Sequence, residues 1–235
     1  MGVDAASEHL AHAAELERRD ESIARELEAV REVAERAGAV RSRAAEIREA
    51  LERIPGELDE LAARRSDTER EASAARSELE AAEARLAGLE SGRRRKADEL
   101  DRARREAATA REQLADAETQ LGRLAARDGE LRDELRALRD EADGLSREAA
   151  GIAAEIRGIA RVTESARDDP GLSLGEVEEW GARVRSALFV ARGTLETERE
   201  RIVVEANVLG TAVLGESLGA SSVAVVRRRL EQRLR

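Results

Sequence analysis

Two histidines near the N-terminus, His9 and His12, are the residues of this chain best suited to bind a metal ion. On a helix, residues three apart share a face, so the two imidazoles could contact one ion. The adjacent Glu8 offers only one further ligand, whereas a structural zinc site takes four. The chain contains no cysteine, which excludes thiolate zinc sites, disulfides and cysteine nucleophiles. We therefore expect no metal and no other cofactor.

A run of four basic residues, Arg93-Arg94-Arg95-Lys96, is the one place where positive charge concentrates. Such a run can attract nucleic acid, acidic lipid or an acidic protein through charge alone. No aromatic residue lies nearby to stack on a base, and acidic residues flank the run on both sides. The simpler interpretation is that these basic residues lie on a solvated helix face or turn. We keep the four residues as candidate partner contacts.

The chain has one tryptophan, Trp180, and one phenylalanine, Phe189, and no tyrosine. Nine residues of helix separate the two rings by about 180°, so they lie on opposite faces. We expect them to anchor two faces of a small helical domain. An exposed aromatic ring here would instead be a candidate contact for a partner, since such rings dominate interface energetics.

The segment Leu172-Ser173-Leu174-Gly175-Glu176 resembles the LSGGE signature of ABC-type ATPases. As in SMC-type proteins and their relatives, it follows a long coiled coil. Leu174 replaces the first signature glycine, and no GxxxxGK[ST] phosphate loop occurs. The same residues also fit a helix capping box, with Ser173 as N-cap and Glu176 at the third helical position. The resemblance therefore extends to the coiled-coil arms of those proteins and not to their ATPase heads.

A single heptad register runs from residue 30 to residue 166 and predicts a coiled coil. With position a at Val30 and position d at Val33, every Leu, Ile and Val in this span falls on a or d except Val162. Charged residues occupy most of the other positions, which is typical of a coiled coil. Only two prolines occur in the chain, so little interrupts helix. The sequence predicts an all-α protein.

The coil can be an antiparallel helical hairpin or a straight parallel dimer. A parallel dimer would stack Arg65, Arg93, Lys96 and Asp128 on their own copies, and like-charge layers are unfavourable. A hairpin with its tip at residues 91–97 gives two arms of similar length. In the favoured register, partner numbers add to 196, so that Ala82 meets Leu114 and no Ala–Ala layer remains. We predict the hairpin and keep the dimer as the alternative.

Stop signals divide the rest of the chain. Residues 1–29 read as an N-terminal helix that packs at the base of the hairpin. Residues 30–166 are the coil, 167–172 a linker containing Pro170-Gly171, and 173–235 a C-terminal helical domain. In that domain one helix is expected from Ser173 to Leu214, and a last one runs from Ser221 or Ser222 to Leu234. Apolar residues on several helix faces, such as Phe189 and Val204, predict packing against more than one neighbour.

Composition bears on function. The chain has 235 residues, 39% of them charged, and a net charge of −10. Arginine supplies nearly all of the positive charge, which suggests a bacterial origin. No secretory signal or membrane-spanning stretch is recognisable, so we expect a cytoplasmic protein. No nucleophile–base pair or phosphate loop is recognisable either, so we expect no enzyme activity and no small-molecule substrate.

The function that follows is structural. We predict a scaffolding coiled-coil protein that acts as a spacer or assembly element, resembling bacterial coiled-coil-rich proteins. Protein partners or self-association are expected. The alternative is a chromosome- or nucleic-acid-associated accessory protein, similar to SMC-type arms. Salt-dependent binding to DNA would favour the alternative, and salt-insensitive self-assembly would favour the scaffold.

Overall fold

Four α-helices account for nearly all of the residues that the structure describes. The computed structural model describes residues 3–91, 97–159, 162, 167–171, 173–215, 219–220 and 222–234. The helices are α1 (Val3–Ser91), α2 (Ala97–Arg157), α3 (Leu174–Leu214) and α4 (Val223–Leu234). The described residues include no strand, and the all-α prediction is confirmed. The chain divides into two compact units: unit 1 comprises residues 1–46 and 142–235, and unit 2 comprises residues 47–141.

Unit 2 consists of the second half of α1 and the first two thirds of α2. Ion pairs join the two helices along their length: Arg76 with Glu118 at 3.4 Å, Arg85 with Glu106 at 3.1 Å, and Arg104 with Glu90 at 3.8 Å. Partner numbers fall along α2 as they rise along α1, so the helices are antiparallel. Their charged flanks face each other and neutralise each other, as in an antiparallel coiled coil.

The register between these helices differs from the predicted one. In the predicted register the numbers of facing core residues add to 196, and charged flanking residues that pair across the seam should have numbers that add to within about five of that sum. In the structure Arg85 pairs with Glu106, and Arg111 pairs with Glu83. Arg127 also pairs with Glu57 at 3.9 Å, and these numbers add to 184, twelve below the predicted sum. The helices are therefore offset from the predicted pairing by one heptad, so that the numbers of facing core residues add to 189. Heptad positions a and d are the same in both registers, and the observed one brings opposite charges together on the flanks.

Alanine layers are the consequence of this register. It places Ala82 opposite Ala107, and Ala72 opposite Ala117. All four alanines are buried. The prediction that no Ala–Ala layer remains is wrong. Small residues on both sides let the helices approach closely, although each such layer buries less apolar area than a layer containing leucine.

Polar residues at core positions turn away from the seam or bond locally. Arg65 is exposed and its guanidinium pairs with Glu69 at 2.9 Å. Asp128 is half-buried and accepts from Arg132 at 2.8 Å. Thr68 is buried, and its hydroxyl donates to the backbone oxygen four residues earlier at 3.0 Å. The predicted register, in which partner numbers add to 196, would set Thr68 across from Asp128, but both side chains form contacts within their own helix instead.

The turn of the predicted hairpin lies at residues 92–96, outside the described residues. The hairpin as a whole, with its tip at 91–97, therefore stays a prediction. The far end of α2 is described, and it comes earlier than the heptad pattern predicted. The helix ends at Arg157, after which Gly158 and Ile159 donate to backbone oxygens three residues back, at 2.9 and 3.0 Å. Val162, which departs from the heptad register, lies beyond this end and is buried there.

The ends of α3 agree with the sequence. Ser173 adopts an extended N-cap conformation, its side chain accepts from the Glu176 backbone, and Glu176 reciprocates in a full capping box. Gly215 ends the helix in the left-handed conformation, with φ of 76°, which glycine adopts without steric cost. α4 begins at Val223, next to the predicted cap. The capping-box prediction is confirmed.

Unit 1 is a bundle in which α3 runs antiparallel to the first part of α1. Arg199 of α3 pairs with Asp20 at 2.8 Å. Nearer the start of α3, buried Gly181 lies so close to α1 that an added Cβ would come within 2.8 Å of the Cβ of Arg41. α4 packs on α3, and Arg227 of α4 forms an ion pair with Glu17 of α1. The core of the unit includes completely buried residues of α1, α2, α3 and α4: Leu16, Ile156, Trp180, Leu195 and Leu230.

Candidate interaction surfaces

The basic run Arg93, Arg94, Arg95 and Lys96 lies outside the described residues. Two of the three arginines that follow it most closely on α2 have partners. Arg104 pairs with Glu90, and Arg105 donates through Nε to the backbone oxygen of Asp101 at 3.2 Å. Positive charge next to the run is therefore partly neutralised within unit 2.

The two histidines do not come together with further metal ligands. His12 Nε2 lies 3.4 Å from the Glu205 carboxylate of α3, which also lies 3.9 Å from Arg19. His9 is half-buried on α1. In the part of the chain that the structure describes, no group of three or more possible metal ligands occurs. His12 instead contributes to the contact between α1 and α3.

Trp180 is completely buried in unit 1. Its indole Nε1 donates to the backbone oxygen of Asp168 at 3.1 Å, which ties the segment before α3 to the bundle. The same segment is held by an ion pair between Arg157 and Asp169 at 2.7 Å. Because Trp180 is not exposed, it is not a candidate partner contact. Its ring anchors unit 1 instead.

Phe189 lies on the opposite face of α3, and 78% of its surface is exposed. The predicted 180° separation of the two aromatic rings is therefore observed, but only Trp180 packs into the unit. Val190, Val204 and Val208 of α3 are also largely exposed. The expectation that the additional apolar residues of α3 pack against more than one neighbour is wrong for these positions, since they face solvent.

An open groove of about 790 Å³ lies beside Phe189, between α1 and α3 of unit 1. Small residues form its floor: Ala34 and Gly38 from α1, and Ala182 and Ser186 from α3. A Cβ placed on Gly38 would meet nothing within 4 Å, so the floor is open to an incoming side chain. We call this surface the Phe189 groove.

Positive charge dominates the walls of the Phe189 groove. Four arginines line it together with one glutamate: Arg31, Arg41, Arg185, Arg192 and Glu35. Arg31 donates to Glu35 at 3.0 Å, and that bond, with the nearby Glu28 charge, raises the pKa of Arg31. Arg192 is similarly engaged by Glu196 at 2.7 Å.

Two of these arginines have no acidic partner. Arg41 and Arg185 make no ion pair or side-chain hydrogen bond with any residue in the described ranges. Arg41 is half-buried and Arg185 exposed. The groove therefore keeps a positive charge on a chain whose net charge is −10. Sequence reasoning did not find this surface, because its residues come from distant segments and share no motif.

Ion pairs also join the helices of unit 1 through residues that do not line the groove. Arg36 of α1 forms a bidentate pair with Glu155 of α2, and the hydrogen bond lowers the pKa of Glu155 and raises that of Arg36. The bond with Asp20 raises the pKa of Arg199 in the same way. These pairs are about half exposed, apart from Asp20, so each is worth roughly 0–1 kcal/mol.

Comparison with known proteins gives no family for this chain. No protein-family model matches it, and no curated protein resembles it closely enough to indicate a relationship. No helix within the described ranges has both the length and the apolar character needed to cross a membrane.

Proposed function

We propose that this protein is a non-enzymatic scaffold in which a pair of long antiparallel helices holds partners at a set distance. The observation that carries the proposal is the construction of unit 2. Its described residues belong to two helices, and ion pairs between these helices link charged residues that would otherwise be free to bind other molecules. Such a unit contributes length and stiffness more than a binding site. The bundle of unit 1 supplies the surfaces for partners.

A spacer depends on the length of its helices more than on their surface sequence. One heptad can be removed from both helices without changing the register, by deleting residues 79–85 together with 104–110. Arg111 then meets Glu90 in place of Glu83, because the flanking charges repeat every heptad. The deletion shortens the pair by about 10 Å. Deleting residues 79–85 alone is the matched control for loss of pairing.

The decisive experiment replaces the natural gene in its host with three variants: the paired deletion, the single deletion, and a chain whose unit 2 is an unrelated antiparallel pair of equal length. If unit 2 acts as a spacer, the chain with the unrelated pair of equal length should support growth, and the chain with the paired deletion should support it less well. The single deletion serves to show the effect of misfolding. If the replacement fails while the paired deletion works normally, surface sequence matters more than length and the spacer proposal is wrong.

The second candidate is a nucleic-acid-associated accessory protein, favoured by the basic run Arg93-Arg94-Arg95-Lys96. Binding through phosphate contacts weakens steeply with salt. We would measure affinity for duplex DNA at several salt concentrations, for the natural chain and for one with Arg93, Arg94 and Arg95 changed to glutamine. Salt-dependent binding that the substitutions abolish would support this candidate. Salt-insensitive self-assembly without DNA binding would support the scaffold.

A further inference from the structure

We propose that the Phe189 groove of unit 1 binds an acidic amphipathic helix of a protein partner. This inference rests on the proposed scaffold function, because it names the kind of partner that the scaffold holds. The argument uses the shape of the groove, the exposure of Phe189 and the charge of the walls.

The shape of the groove suits a helix. Its floor follows α1 over residues 30–42, about 18 Å, which matches an occupant of three to four turns. The small side chains of Ala34, Gly38, Ala182 and Ser186 let a third helix approach closely and insert larger apolar side chains between α1 and α3. Helix-in-groove recognition uses this arrangement, with apolar residues of the ligand at three- and four-residue spacing.

Phe189 supplies an apolar contact at the rim. The ring is 78% exposed, although burial of a phenylalanine side chain is favourable through the hydrophobic effect. Leu188 and Val30, directly below the rim, are buried, so the apolar surface continues from the core of unit 1 to the ring. A partner that covers Phe189 would extend this core outward.

The charge of the walls selects the occupant. Arg41 and Arg185 stand on α1 and α3, on the two sides of the groove, and have no acidic partner in the described ranges. Carboxylates on the flanks of an apolar helix stripe would pair with both. A second copy of this chain docked by two-fold symmetry would instead bring Arg41 and Arg185 of one groove towards those of the other, which is repulsive.

The sequence provides a direct probe of the groove. Phe189 is the only phenylalanine and Trp180 the only tryptophan. Biosynthetic labelling with fluorinated phenylalanine and tryptophan therefore gives one ¹⁹F resonance at the groove and one in the core of unit 1. The probe ligand is a synthetic helical peptide of about 21 residues, with leucine on one stripe and glutamate on its flanks. A matched peptide carries lysine for every glutamate.

We expect the acidic peptide to shift the Phe189 resonance and to leave the Trp180 resonance in place. The basic peptide should shift neither resonance.

Changing both Arg41 and Arg185 to glutamate should weaken binding about tenfold or more. The matched control changes Arg123 and Arg139, two exposed arginines of unit 2, to glutamate and alters net charge equally. It should change the affinity by less than about twofold. By fluorescence anisotropy, Phe189→Ala should weaken binding strongly, whereas Val204→Ala on the same helix should not.

Three results would overturn the proposal. The first is no shift of the Phe189 resonance with up to about 1 mM acidic peptide, the weakest binding of interest. The second is equal or tighter binding of the basic peptide, or of a single-stranded oligonucleotide of matched charge. The third is a Phe189 resonance that changes on dilution without peptide, which assigns the groove to a second copy of the chain. None of these results bears on the length dependence of unit 2, so the two proposals fail separately.

Discussion

Replacing Gly181 with alanine tests the close packing of α1 and α3 in unit 1. Gly181 is buried in α3, and an added Cβ would lie 2.8 Å from the Cβ of Arg41 and 3.5 Å from the backbone oxygen of Ala37. The Cβ of Arg41 is attached directly to the backbone of α1 and cannot swing aside. One of the two helices must therefore shift.

The magnitude follows from two opposing effects. Alanine is favoured over glycine in a helix interior by about 1 kcal/mol. Adding a methyl group to a tightly packed contact costs about 1–3 kcal/mol. Gly193 on the same helix provides the matched control, because a Cβ there would meet nothing within 4 Å. The gain in helix propensity is the same in both variants. The difference between their free energies of unfolding therefore gives the packing cost at position 181, about 1–3 kcal/mol.

Thermal unfolding followed by tryptophan fluorescence is the assay. Trp180 is the only tryptophan and is buried in unit 1, so its emission reports the unfolding of this unit. The melting temperature of Gly193→Ala should rise by a few degrees. That of Gly181→Ala should lie below it by roughly 3–10 °C for a unit of this size. Equal melting temperatures for the two variants would refute the close approach of α1 to α3 at this position.

Three further predictions concern other contacts. Glu155→Gln should lower the melting temperature at pH 7 by an amount equivalent to about 0.3–1 kcal/mol. Because the folded pKa of Glu155 is depressed, the difference from the natural chain should begin to shrink as pH falls below the usual value near 4.5 and disappear as pH falls through the lower folded pKa. A deficit that persists in still more acidic solution would contradict the ion-pair explanation. Cysteines at Ala82 and Ala107 should be joined by a short thiol-specific cross-linker much faster than cysteines at Ala82 and Leu114; the reverse order of rates would restore the register predicted from the sequence. Ser173→Ala should destabilise unit 1 by about 1 kcal/mol through loss of the N-cap, as measured by tryptophan fluorescence during denaturant unfolding, and Ser173→Asp should retain the natural stability.

Helix content and several helix ends could be predicted from the sequence because they depend on local contacts. The heptad pattern specifies helix over most of α1 and α2, since the apolar period of a helix involves residues only three and four apart. The N-cap at Ser173 and the left-handed Gly215 are also local, because each satisfies backbone groups within one helical turn. The opposite placement of Trp180 and Phe189 follows from helix geometry alone.

The pairing register of α1 with α2 and the buried face of α3 depend on tertiary contacts, and local periodicity does not determine them. A seven-residue repeat is unchanged by a shift of one heptad, so the a and d positions cannot choose between pairing Ala82 with Leu114 and pairing it with Ala107. The ion pair of Arg127 with Glu57 is within reach only in the second, and such charges meet only after the helices associate. Likewise, helix geometry places Trp180 and Phe189 on opposite faces of α3 but does not determine which of the two rings faces the core. The packing of α1 against α3 buries Trp180 and leaves Phe189 beside an open groove, because a long-range contact sets which face of α3 is covered.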